Sequence, residues 1–109
     1  MIKHFYSYHV EIESLIIEIE LLDIEKHEKK HLISLAESHI HSSIIGTIMS
    51  ELKKEDKGTL LEYLNSRDHE KIWRFLNNRI KNVEGKIQET AAAIKKELLG
   101  DIRKLREEK

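Results

Sequence analysis

Between Asp23 and Leu52 the apolar residues recur with the period of a helix. At 100° per residue, Leu32, Ile33, Ala36, Ile40, Ser43, Ile44 and Thr47 fall in one broad sector. The spacing predicts one long helix over the whole stretch. Asp23 has the side chain of an N-cap, Glu25 and Glu28 suit the positive end of the dipole, and Lys53 and Lys54 suit the negative end. The opposite side carries His27, His31, Ser34, Ser38 and His41, a wet face. Towards the C-terminal end Ile45, Met49 and Leu52 turn that wet face apolar, while Ile44 and Ile48 stay near the first sector. A helix apolar on two sides must be covered on two sides. The rest of the chain offers shorter helices, so Ile45, Met49 and Leu52 are expected at or near an interface with a second copy. Gly46, in the small-residue run Ser42, Ser43, Gly46, Thr47 and Ser50, costs a helix about 1 kcal/mol relative to Ala. Close approach of another helix, a kink or simple tolerance would each explain it.

The remaining segments read as shorter helices around that rod. Residues 1–7 form a loose lead-in whose aromatics tack onto the core. Over Tyr8–Leu22 a helical phase (Tyr8, Ile12, Leu15, Ile16, Ile19, Leu22) holds where a strand phase slips at Glu13-Ser14, so helix is preferred. Its Glu11, Glu18 and Glu20 are expected to face water. Lys53–Thr59 reads as a turn, followed by a short helix over Asp56–Leu64. Asn65 can end that helix, and Ser66 or Asp68 can cap the next, His69–Lys81, which shows Ile72, Phe75, Leu76 and Ile80 on one side. Trp73 falls a step aside, at the core's edge or outside it. Asn82 precedes a last helix, Val83 to about Arg106. Its apolar positions Ile87, Ala91, Ile94, Leu98 and Leu105 form a coiled-coil-like seam, with Ile102 standing in at the gap left by Asp101. Gly100 weakens that seam, and residues 107–109 are expected to fray. The fold class is therefore all-α: one domain over 1–109, a bundle of four to five helices around one long central helix.

Composition narrows the picture without changing it. Proline is absent, glycine numbers four, and 36% of the residues are charged, which favours helices over a turn-rich sheet fold. The lack of cysteine excludes disulfides, thiolate metal sites and a thiol nucleophile. No secretory leader is read, since Glu11 and Glu13 interrupt any apolar region near the N-terminus. Apolar runs such as Leu15-Ile16-Ile17 fall far short of the roughly 20 residues a spanning helix needs. No membrane partner is expected, and a cytoplasmic location is. Net charge is −1, split between 6 basic and 9 acidic groups in residues 1–54 and 13 and 11 in 55–109. That asymmetry is too small to imply a nucleic-acid partner.

Element order also carries a resemblance. LLDIEKHEKK, IIGTIMSELKKEDKGTLLEYLNSRDHEKIWRFLNNRIKNVE and IKKELLGDI, together spanning Leu21 to Ile102, resemble a family of small uncharacterised bacterial helical domains. The shared pattern runs from a long helix through Leu52, Glu55 and Asp56 to a Leu-Leu helix. A break at Asp68, the Phe75-Leu76 helix and a lysine-rich helix after Asn82–Glu84 follow. The resemblance implies a helical fold in a bacterial cytoplasm; the family has no assigned function, so no site is carried over. Such domains usually place acidic or neutral residues where this chain has His27, His31, His39 and His41.

Three groups of side chains bear on chemistry. His27-x-x-x-His31 sets two imidazoles one turn apart with Glu28 beside them, a spacing that can hold a divalent transition metal. Glu28-x-x-His31 also has the spacing of di-iron bundles, which need further inward-facing carboxylates. His41 lies nearly three turns beyond His31, too far for the same ion. His39 borders the apolar sector and reads as a packing residue. Arg67, Lys71, Arg74, Arg79 and Lys81 with Trp73 read as a solvated face diluted by Glu70 rather than a nucleic-acid surface. No catalytic residue is assigned. The expected function is a non-enzymatic interaction or structural module that pairs with itself or with a helical partner. The alternative is a small metal-binding protein using His27, Glu28 and His31.

Overall fold

The computed structural model describes residues 4–107 and contains five α-helices, a 3₁₀ turn at Ser7–His9 and no strand among the described residues. The helices are α1 (Glu13–Glu20), α2 (Lys26–Glu51), α3 (Lys54–Ser66), α4 (His69–Arg79) and α5 (Val83–Glu107). They form an elongated bundle, 49 × 23 × 22 Å, around α2. No helix among the described residues is long and apolar enough to cross a membrane.

α2 and α5 run antiparallel and make the frame. Thr47 and Thr90 share a 2.9 Å hydroxyl–hydroxyl hydrogen bond, and Lys86 reaches Glu51 at 3.1 Å, fixing the register at one end. The buried stripe of α2 is Ala36, Ile40, Ile44 and Ile48, and that of α5 is Val83, Ile87, Ala91 and Ile102. Residues four apart share a helix face, so each stripe presents one continuous apolar edge to its partner.

α1 lies against both at the end where α2 begins. Its entry is set by Glu11, whose carboxylate accepts from the Ser14 N–H at 2.6 Å and from Lys95 Nζ at 2.8 Å. Further along, Glu18 takes Arg106 at 2.8 Å. These acids therefore tie α1 to α5 instead of facing only water. They also explain why the helix expected over Tyr8–Leu22 is shorter: the chain enters α1 where Glu11 caps it. Upstream, Phe5 and Tyr6 are buried in the core, and Trp73 Nε1 donates to the Phe5 carbonyl at 2.8 Å. The lead-in aromatics thus tack down as expected, and Trp73 sits at the core's edge; residues 1–3 and 108–109 lie outside the described residues.

Two expected boundaries are corrected. α2 starts at Lys26, not Asp23, with Glu25 as its extended N-cap and no side-chain capping bond. Leu22 is buried and Ile24 packs on the same core, so residues 21–25 cross over as a loop, and that burial outweighs a cap at Asp23. The turn expected over Lys53–Thr59 is mostly helix, since α3 begins at Lys54. Glu55 and Asp56 then stand in its first turn, where negative charge is favoured, and Arg79 Nε donates to Asp56 at 3.2 Å. Downstream, Arg67 ends α3 in the left-handed region at φ 59°. Asp68 caps α4 by accepting from the Lys71 N–H at 3.2 Å.

α3 and α4 pair as a hairpin at the other end of the frame. Leu52, Leu60, Ile72, Leu76 and Ile80 join Ile44 and Ile48 in one buried cluster. Leu52 is only 7% exposed, and Ile45 and Met49 are half-buried against that cluster. The premise that the chain lacks the means to cover this half of α2 is thereby corrected. α5 is 25 residues long, as long a rod as α2 needs, and the α3–α4 hairpin closes the rest.

Candidate functional site

An apolar opening lies at the opposite end of the bundle. A cleft of about 630 Å³ lies between the close of α1, the first turns of α2 and the last turns of α5. Leu21, Leu22, Ile24, Leu32 and Leu105 supply its apolar walls, and Asp23, His27, Glu28, His31 and Arg106 its polar ones. Leu21 is 58% exposed and Leu105 46%. Ile17, also 58% exposed, sits one turn before Leu21, whose N–H donates to its carbonyl. α1 is eight residues long and cannot reach over these side chains. The loop is pinned by Lys29 Nζ donating to the Glu20 carbonyl at 2.7 Å, and Arg106 is held by Glu18.

The metal candidates converge here, with one exchange of partners. Glu25, His27 and Glu28 each present a ligand atom within 4.8 Å of the others, and Glu25 Oε2 lies 3.1 Å from His27 Nδ1. His31 lines the same cleft but is not in that group. Glu25, which sequence reasoning placed only as a dipole partner, joins because its extended N-cap backbone brings it back over the first turn. All three are exposed.

A second cluster of side chains stands at the closed end. The Tyr6 hydroxyl and His41 Nδ1 are 2.6 Å apart, and the His4 and His41 rings stack with centroids 4.2 Å apart. Burial, then the neighbouring His41 and His69, lowers the pKa of His4 below the ordinary imidazole value of 6.5. Burial does the same to His41. Burial, then Glu37, raises the Tyr6 phenol above its usual range. His41, expected on a wet face, is drawn in by residues 35 and 37 positions upstream, which no local period reports.

No family model, curated protein or solved structure matches the chain. The basic residues of α4 are largely engaged. Arg74 pairs with Glu70, Arg79 with Asp56, Lys71 stands over the Tyr63 ring, and the Trp73 indole is turned inward to Phe5.

Proposed function

We propose that this chain is a non-enzymatic helical interaction module that pairs with a second copy of itself through the open end of the bundle. The observation that carries the reading is the apolar cleft with Leu21 and Leu105 exposed at its rim and Ile17 beside it. A two-fold contact requires one surface to be its own complement, so that a ridge can enter a hollow on the same face. Here an exposed apolar ridge borders a hollow of its own kind. Asp23, Glu28 and Arg106 make the rest of the rim polar, with Arg106 already paired to Glu18 inside the chain. The contact sits at the other end of α2 from Ile45, Met49 and Leu52. The likeness in element order to small bacterial helical domains supports a bacterial cytoplasmic setting.

Sedimentation velocity at tens of micromolar tests this. The expected species is a dimer, which Leu21→Glu or Leu105→Glu converts to a monomer with the melting temperature retained. A wild-type monomer at that concentration sinks the reading. Ile45→Glu is expected to unfold the chain rather than dissociate it.

One observation favours a second reading, a divalent transition-metal site: the convergence of Glu25, His27 and Glu28 within 4.8 Å. Structural zinc takes four ligands, so His31 or a second copy would complete the set. Absence of co-purified metal from untagged protein, with a melting temperature indifferent to zinc, removes it.

A further inference from the structure

We propose that the pocket between the N-terminal segment, α2 and the α3–α4 turn binds a small oxyanion of the sulfate or phosphate class, more tightly in acid. The pocket has a volume of about 210 Å³ and lies at the closed end, away from the cleft on which the self-association reading rests. His4 from the N-terminal segment, His41 from α2, and Arg67 and His69 from the α3–α4 turn line it, with no carboxylate among the described residues that do. Phe5, Leu64 and Ile72 form the apolar part of its lining.

Arg67 brings a permanent charge and a fork of N–H donors suited to oxyanions. Its place is set by the left-handed backbone that ends α3. His69 is the first residue of α4, next to the positive end of an 11-residue helix. Burial lowers the pKa of both His4 and His41, that of His4 further through His41 and His69, and the two rings stack 4.2 Å apart. An anion in the pocket supplies the missing counter-charge, so binding and proton uptake favour one another.

Tyr6 bonds His41, and Glu37 and Glu13 line a neighbouring cavity that His4 and Tyr6 also line. Asp68 is occupied in capping α4, and His9 is paired with Glu84. None of these acids lines the pocket itself.

Calorimetric titration of the full chain with sulfate, at constant ionic strength, tests the proposal, because sulfate keeps its charge from about pH 5.5 to pH 8 while imidazole does not. Binding is expected to be roughly tenfold tighter at the lower pH and to take up protons. Arg67→Asn and His69→Gln are expected to weaken it roughly tenfold each, while His27→Gln in the distant cleft leaves it unchanged. Asn tolerates the left-handed backbone and residue 69 is exposed, so both variants should melt like the wild type without sulfate. In the wild type, sulfate should move the ring proton resonances of His4, His41 and His69 but not those of His27 and His31. Phenyl phosphate run beside inorganic phosphate separates two sources: tighter binding of the ester assigns a phosphoryl group on an organic molecule, and equal binding assigns the free ion. No saturable binding at about pH 5.5, equal sulfate affinity at both pH values, or indifference to Arg67→Asn and His69→Gln overturns the site.

Discussion

The two halves of α2 meet opposite fates. Its C-terminal half is enclosed by α5, the α3–α4 hairpin and the aromatics of the N-terminal segment, so that Ile44 and Ile48 are lost to solvent altogether. Its N-terminal half has α5 on one side and only the eight residues of α1 on the other, and the cleft is what that short helix fails to cover. The exposed apolar side chains of that cleft, Leu21 and Leu105, stand on the elements that flank α2 rather than on α2 itself. Periodicity reports which side of a helix is apolar; it does not report how far a neighbour reaches.

If that contrast is right, truncations at the two ends should differ sharply in cost. Ile44→Ala or Leu60→Ala, both fully enclosed, is expected to lower unfolding free energy by about 2–5 kcal/mol, the transfer and cavity cost of a buried aliphatic. Leu21→Ala or Leu105→Ala should stay within about 0.5 kcal/mol in the monomer. Urea titrations followed by Trp73 fluorescence measure both. Equal losses at the two ends would mean the cleft is closed in solution.

Acid should act on the closed end. His4 and His41 have folded-state pKa values below 6.5, so the unfolded chain binds more protons than the folded one in that range. Their contribution to stability is therefore complete above the unfolded value and is lost as pH falls below it. The urea midpoint is expected to drop between about pH 7.5 and pH 5.5, and His4→Gln should flatten that drop. A midpoint whose pH slope ignores His4→Gln would show that the imidazole stack carries no linkage.

Replacing a helix cap is a smaller perturbation and a test of local wiring. Asp68→Ala removes the acceptor for the Lys71 N–H and should cost about 1 kcal/mol, read as a shift in the same urea midpoint. An unchanged midpoint would mean that packing of Ile72 and Leu76 alone starts α4.

What could be read in the sequence was what is local. The all-helical class, the stripe Ala36–Ile40–Ile44, the Ile72–Phe75–Leu76 face and the Asp68 cap are each decided within one or two helical turns. What escaped was decided by competition at a distance. Asp23 loses its place as a cap because Leu22 and Ile24 are worth more in the core. His41 leaves the wet face because Tyr6 and His4 come back to it from the start of the chain. The cleft was half legible: His27, Glu28 and His31 do line it, but the leucines beside them come from α1 and α5.

The glycines give the finest version of the same contrast. Gly46 stands in the enclosed half of α2, where a close helix–helix approach would have required it. An added Cβ there meets nothing within 4 Å, so no approach explains it and the residue is simply tolerated on an outer face. Gly46→Ala should therefore stabilise the protein by roughly 0.5–1 kcal/mol through the lower backbone entropy of its unfolded chain. Gly85 differs: a Cβ there would fall 2.5 Å from Asn82 Nδ2, where that side chain folds over the start of α5. Asn82 itself holds the left-handed turn at φ 54°, and its carbonyl accepts from the Lys86 N–H. Displacing its amide should cancel the helical gain, so Gly85→Ala is expected to be neutral or destabilising in a thermal melt. Should both substitutions stabilise alike, the Asn82 side chain does not hold that position, and the entry to α5 rests on backbone bonds alone.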